Sequence, residues 1–104
     1  MAQASAEQDP IKLDPDHYRL EFENARARVL RVRFGPGEKS VMHTHPSAVL
    51  IFLTDANARF TFPDGSAQDI RATAGEIHEM PPTTHLPESI SDRPFEVALV
   101  ELKG

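Results

Sequence analysis

The stretch Gly35–Thr54, GPGEKSVMHTHPSAVLIFLT, decides how the rest of the chain is read. It opens on a turn signal, Gly35-Pro36-Gly37-Glu38-Lys39, and passes through His43-Thr44-His45. It then becomes an unbroken apolar run from Ala48 to Leu53. Two histidines at i and i+2 can act together only on an extended backbone. There, alternate side chains share a face with Cα atoms about 6.5–7 Å apart, and both imidazoles can reach one ion at about 2 Å. On a helix the same residues sit roughly 200° apart and cannot converge. The reading therefore depends on whether the chain is built of strands.

Working outward, the pattern is one of strands. Upstream, His17 to Phe22 alternates Tyr18, Leu20 and Phe22 against Arg19 and Glu21, and Arg28 to Phe34 alternates Leu30, Val32 and Phe34 against Arg31 and Arg33. Each predicts a strand with one buried face. Ala48 to Leu53 lacks alternation, which predicts burial on both faces. Downstream, Asp55-Ala56-Asn57, Pro63-Asp64-Gly65, Thr73-Ala74-Gly75, Pro81-Pro82 and Ser91-Asp92-Arg93-Pro94 are turn or breaker signals between short strand-like runs. The last such run is Phe95 to Leu102. Turns at this spacing, nine prolines and no helical period predict an all-β sandwich or barrel.

Composition narrows the function classes. A chain of 104 residues is one domain, and a net charge of −5 argues against partnership with nucleic acid or an anionic membrane surface. No segment approaches the roughly 18 apolar residues of a membrane span. The absence of cysteine removes disulfides, thiolate ligands and a thiol nucleophile. Residues 1–14 are expected to form a flexible N-terminal tail, and 15–104 the folded domain. The small-x-small steps in Met1–Ala6 lack a preceding apolar segment. The expected location is cytoplasmic by default, or periplasmic if an upstream export signal has been removed.

Five histidines carry the remaining chemistry. His43 and His45 share a face, and His85 begins a strand 40 residues after His45. In a closed β structure a distant strand can complete a site begun by an i, i+2 pair. Three neutral imidazoles suit Fe, Mn, Ni, Cu or Zn. For His78, three roles stay open: a further ligand, a pocket acid or base, and a satisfied polar residue. His17, beside Asp16, is expected to be a solvated surface group. There is no phosphate-cradling loop and no nucleophile elbow.

These residues resemble the cupins, in particular the small stand-alone, RmlC-like ones. The first cupin motif runs G-x5-H-x-H-x3,4-E-x6-G, and Gly37, His43 and His45 match it. The second runs G-x5-P-x-G-x2-H-x3-N, and Gly75 and Pro81 match, with the inner glycine replaced near Thr83, His85 one residue early and no following Asn. The resemblance covers roughly residues 28–102. It implies a double-stranded β-helix (jelly-roll) barrel over 15–104 in which His43, His45 and His85 bind a divalent transition metal, Fe(II) favoured. The motif glutamate is absent, since its places hold Val49 and Leu50. Glu88 and His78 are the candidates to replace it.

The resemblance further implies a metal-dependent small-molecule enzyme, foremost a three-histidine dioxygenase-type oxidoreductase, with a non-catalytic small-ligand or metal-binding module as the alternative. Val49, Ile51, Phe60 and Met80 are expected to line the pocket. Arg59 or Arg71 could anchor a substrate carboxylate, although an exposed edge charge is the plainer role. A thiol dioxygenase is disfavoured, because the only tyrosine, Tyr18, lies far upstream. A homodimer is expected, since a small barrel buries only the inner face of the Ala48–Leu53 strand.

Overall fold

The structure, a computed structural model, describes residues 8–104. Its order is a helical turn α1 (Pro10–Leu13), then β1 (Tyr18–Glu23), β2 (Ala27–Phe34), β3 (His43–His45), β4 (Ala48–Phe52), β5 (Ala56–Thr61), β6 (Ala67–Ala72), β7 (Ile77–Met80), β8 (Thr83–Ser89) and β9 (Phe95–Leu102). One sheet has the order β1-β2-β9-β4-β7 and the other β3-β8-β5-β6, with every pairing antiparallel. The two face each other as a jelly-roll barrel, the all-β double-stranded β-helix that the sequence implies. No helix among the described residues is long and apolar enough to cross a membrane.

Turn chemistry sets the strand boundaries. Asn24 Oδ1 accepts from the backbone N–H of Arg26 and Ala27 to close the β1–β2 hairpin, and Asp64 Oδ1 accepts from Ser66 N in the β5–β6 hairpin. Gly37 (φ 70°) and Gly75 (φ 90°) occupy the left-handed backbone that an L side chain disfavours. Pro81 and Pro82 separate β7 from β8.

The core is built from register rows. Val32 pairs with Val97 and Phe52 with Val97, while Leu30 pairs with Leu99 and Leu99 with Leu50. Leu30, Phe34 and Leu99 are fully buried, each stabilised by about 2–3 kcal/mol relative to exposure. This phase corrects the reading of β4. Ala48, Leu50 and Phe52 face the core, whereas Val49 and Ile51 are half-buried on the outer face, opposite Glu79 and Ile77. An apolar run without alternation contains no phase of its own, and pairing supplies it.

Two further expectations change. Leu20 and Phe22 are exposed, at 41% and 58%, because β1 is an edge strand with a register shift between them that puts Phe22 across from Val29. Residues 8–14 are also not a loose tail. Asp9 caps α1 by accepting from Ile11 N, Pro10 starts the turn and is buried, and Gln8 accepts from the Thr44 hydroxyl. Residues 1–7 of the expected tail lie outside the described residues.

Leu30→Ala and Leu99→Ala should each cost about 3 kcal/mol in urea unfolding, against about 0.5 kcal/mol or less for Leu20→Ala. Equal losses at all three positions would contradict this core assignment.

Candidate metal centre

β3 is three residues long and pairs with β8 so that His43 lies directly across from His85. Directly opposed residues share a face with Cβ atoms about 4.5–5.5 Å apart. His45, two residues on, takes the same face. One nitrogen from each of the three lies within 4.8 Å of the others. The ring centroids are 4.7, 5.1 and 5.2 Å apart, and each pair of planes is within a few degrees of perpendicular. All three side chains are buried inside the barrel.

Among the described residues, neither ring nitrogen of His43 or of His85 has a hydrogen-bond partner. Burial pushes both pKa values down, helped by neighbouring histidines, to about 3 for His43 and about 2 for His85. Both are therefore neutral at physiological pH, with lone pairs available. A buried polar nitrogen without a partner costs about 1–3 kcal/mol, which a bound cation would offset. Three convergent imidazoles, two of them neutral and otherwise unsatisfied, fit a divalent transition metal.

His45 differs. Its Nδ1 lies 2.6 Å from Glu101 Oε2, and both side chains are buried. A carboxylate only accepts, so Nδ1 carries the hydrogen and Nε2 is left as the ligand nitrogen. Glu101 was not singled out from the sequence, but it left a signal there. It occupies the same parity as Phe95, Val97 and Leu99, the buried face of β9. A charge on the inward parity of an apolar strand requires a partner.

Tyr18 was also missed. Its ring packs edge-on against His43 at 4.8 Å and lies 5.9 Å from His45. Distance along the chain is thus no ground for keeping it out of the site, because β1 brings it there. Phe60 packs on His85 at 4.4 Å. A cavity of about 50 Å³ lies beside the cluster, bounded by Tyr18, His45, His85, Leu50, Phe60 and Met80 among others. Phe60 and Met80 line it, and Val49 and Ile51 do not. Of the two positions where the motif glutamate is expected, it is Leu50 that faces the cavity.

The remaining candidates lie elsewhere. Glu88 alternates away from His85 on β8 and pairs with Arg59 and Lys39, so it does not join the cluster. His78, across from Leu50, donates from Nε2 to Glu76 Oε1 at 3.0 Å and packs on Phe52. It lines a groove of about 350 Å³ that shares Leu50, Phe60, Ile70 and Met80 with the inner cavity. Arg59 pairs with Asp69 on the outside, and Arg71 lines a different groove. His17 is not solvated. It is stacked on Phe34 at 4.3 Å and bonded to Asp14 and Glu38. Burial lowers its pKa, but the two carboxylates outweigh this and hold it above the ordinary value.

No family model matches this sequence, and no curated protein does. Solved structures do. A cupin domain from Bordetella pertussis Tohama I superposes with a TM-score of 0.77 at 25% identity, over 84% of this chain and 92% of that one. The chain has the cupin fold. An RmlC-like cupin family protein with a double-stranded β-helix fold from Methanocaldococcus jannaschii has a TM-score of 0.63 at 17% identity, over 86% of this chain and 83% of that one. The DMSP lyase DddQ from Ruegeria pomeroyi DSS-3 has a TM-score of 0.61 at 18% identity, over 88% of this chain but 49% of that one. The last two likenesses show the fold alone.

Depressed histidine pKa values make a linkage prediction for the metal-free protein. Between pH 6.5 and about 3 the unfolded chain protonates His43, and a similar window applies to His85, while the folded chain keeps both neutral. Stability should therefore fall as pH falls, by at most about 1.4 kcal/mol per pH unit for each residue. The raised pKa of His17 works the other way, its contribution being complete below the unfolded value of 6.5 and lost as pH rises through the folded one. Urea titrations at pH 7 and pH 5 should show the acid loss, and His43→Leu with His85→Leu should flatten it. An unchanged slope in that double variant would mean that other groups cause it.

Proposed function

We propose that this chain is a metal-dependent enzyme acting on a small organic molecule, foremost of the three-histidine dioxygenase type. His43, His45 and His85 are the ligands in this reading, Fe(II) is the favoured ion, and Mn, Zn, Ni or Cu could take the same donor set. The observation that carries the reading is a pair of buried, neutral histidines whose nitrogens have no partner among the described residues. A divalent ion held there would supply Lewis-acid chemistry and, if it is iron, redox chemistry toward O₂.

The surrounding residues suggest how the site is used. Tyr18, Phe60 and Leu50 keep bulk water from the cluster, and the inner cavity of about 50 Å³ has room for only a few heavy atoms. A larger substrate would lie in the outer groove and present one reacting group past Leu50, Phe60 and Met80. That groove contains no lysine or arginine but does contain Phe62, Pro81, Pro82 and the His78 imidazole. It favours a neutral, flat, largely apolar molecule with one hydrogen-bonding group over a carboxylate. The second reading, a non-catalytic small-ligand or metal-binding module, draws on Leu50, which leaves the cluster without the motif's anionic ligand.

Elemental analysis of protein purified without a nickel column should find near-stoichiometric iron, manganese or zinc, and His85→Ala should lose it. Oxygen consumption should then be faster with neutral diketones than with aromatic acids. Metal without turnover of any screened compound would favour the binding module, and no metal after reconstitution would end both metal readings.

We also propose a homodimer that packs the outer face of the five-stranded sheet, where Phe22, Val29, Val100 and Val49 form one register row. Arginines and glutamates of both signs flank this row, which suits a self-complementary two-fold contact. Light scattering at micromolar concentration should give twice the chain mass, and a monomer would remove this proposal.

A further inference from the structure

Behind His45 the polar contacts continue. Glu101 Oε1 accepts from Arg28 Nε at 2.9 Å and lies opposite Arg28 in the β2–β9 register. Arg28 in turn donates through both terminal nitrogens to Asp9, at 2.8 and 3.0 Å. All four side chains are buried or nearly so. Asp9 is the residue that caps α1. An unbroken chain of charge-assisted hydrogen bonds therefore runs from the N-terminal helix to a nitrogen of the histidine cluster.

We propose that Glu101 is a positioning residue for this cluster, and that Arg28 and Asp9 make its hold on His45 depend on docking of the N-terminal segment. Glu101 does two things from where it sits. It retains the hydrogen on His45 Nδ1, which leaves Nε2 as the ligand nitrogen, and it fixes the plane of the ring. It also puts a carboxylate behind a ligand in a cluster whose inward motif position is Leu50. Negative charge that cannot touch the ion directly still raises the basicity of the imidazole in front of it.

Arg28 is what keeps Glu101 in place. Without the guanidinium a buried carboxylate would be only half satisfied and could turn from His45. Asp9 holds the other side of the guanidinium, so releasing residues 9–13 from the barrel would loosen the far end of the same chain. Any preference of the N-terminal segment for the docked state must then favour metal binding, and metal binding must favour docking by an equal factor. The value of this coupling rests on the metal reading proposed above, but the lock on His45 does not.

The test uses the full chain, labelled with ¹⁵N, and separates the two. In metal-free protein, long-range ¹H–¹⁵N spectra should find His45 in the Nδ1–H form, and Glu101→Leu should abolish that preference. Glu101→Gln, which keeps an acceptor oxygen and the side-chain volume, should restore the tautomer. Cobalt(II) affinity, read from its visible absorption against a competing chelator, should fall about 10- to 100-fold in Glu101→Leu. Asp9→Asn touches no histidine and should still weaken cobalt by roughly 5-fold. His45 found as Nε2–H in the parent protein, or wild-type tautomer and affinity in Glu101→Leu, would overturn the assignment. Wild-type cobalt affinity in Asp9→Asn would overturn the coupling to the N-terminal segment. If Glu101→Leu does not fold, Glu101→Gln and Asp9→Asn decide by the same spectra and affinities. A parent protein that binds no cobalt yet keeps the Nδ1–H form would reject the metal reading and support the lock.

Discussion

The antiparallel pairing of β3 with β8 is the contact on which the rest of this molecule's chemistry depends. It is only three residue pairs long, yet it puts His43 across from His85 and carries His45 onto the same face. A one-residue slip in that register would turn both β3 histidines outward. What holds the register is packing on either side. Tyr18 presses on His43, Phe60 presses on His85, and the Thr44 and Thr84 hydroxyls bond to each other across the pair at 2.9 Å. The same ring contacts exclude water and so depress the pKa values that keep the imidazoles neutral.

The three histidines are alike in burial and unlike in satisfaction. Two have bare nitrogens, and the third is tied to a carboxylate, a guanidinium and a second carboxylate in sequence. Burying such a series of charges is costly, and an apolar replacement of equal volume is often no less stable. The arrangement is therefore better understood as orientation than as stabilisation. The apolar side of the cavity works the other way. Leu50, Phe60 and Met80 have nothing to offer a polar ligand, so whatever binds must be selected by shape and by the histidine cluster itself.

Much of this was legible in the sequence, for definable reasons. Turn residues and period-2 alternation located the strands, and an i, i+2 histidine pair on a strand has one geometric consequence. The strand that begins after Pro81-Pro82 then offered His85, one residue before the place the second cupin motif gives its histidine. What could not be read was phase and long-range pairing. Ala48–Phe52 is apolar at every position, so the choice between Val49 and Leu50 as the inward residue depends on β7 and β9. Glu101 is bonded to residues 73 and 56 positions away, Arg28 through the β2–β9 register and His45 across the barrel. Asp9-Pro10 did carry a local signal, a helix cap followed by a first-turn proline, but it falls within the stretch expected to be a flexible tail. His17 next to Asp16 looked like surface, and only the fold puts Phe34 beneath its ring.

β3 sits at the end of its sheet, bonded to β8 on one side only among the described residues. A strand held along one edge separates from its neighbours at a lower free energy than one held along both. The segment that brings two of the three imidazoles is thus also among the easiest to lift. For a hydrated dication this matters, because the alternative route crosses a wall of Leu50, Phe60, Ile70 and Met80 where its water shell has no replacement. Exchange of an ion would then be timed by the fraying of one short strand, while exchange of an apolar ligand would be timed by side-chain rotation in the wall. One small barrel would in this way keep separate clocks for its two kinds of guest.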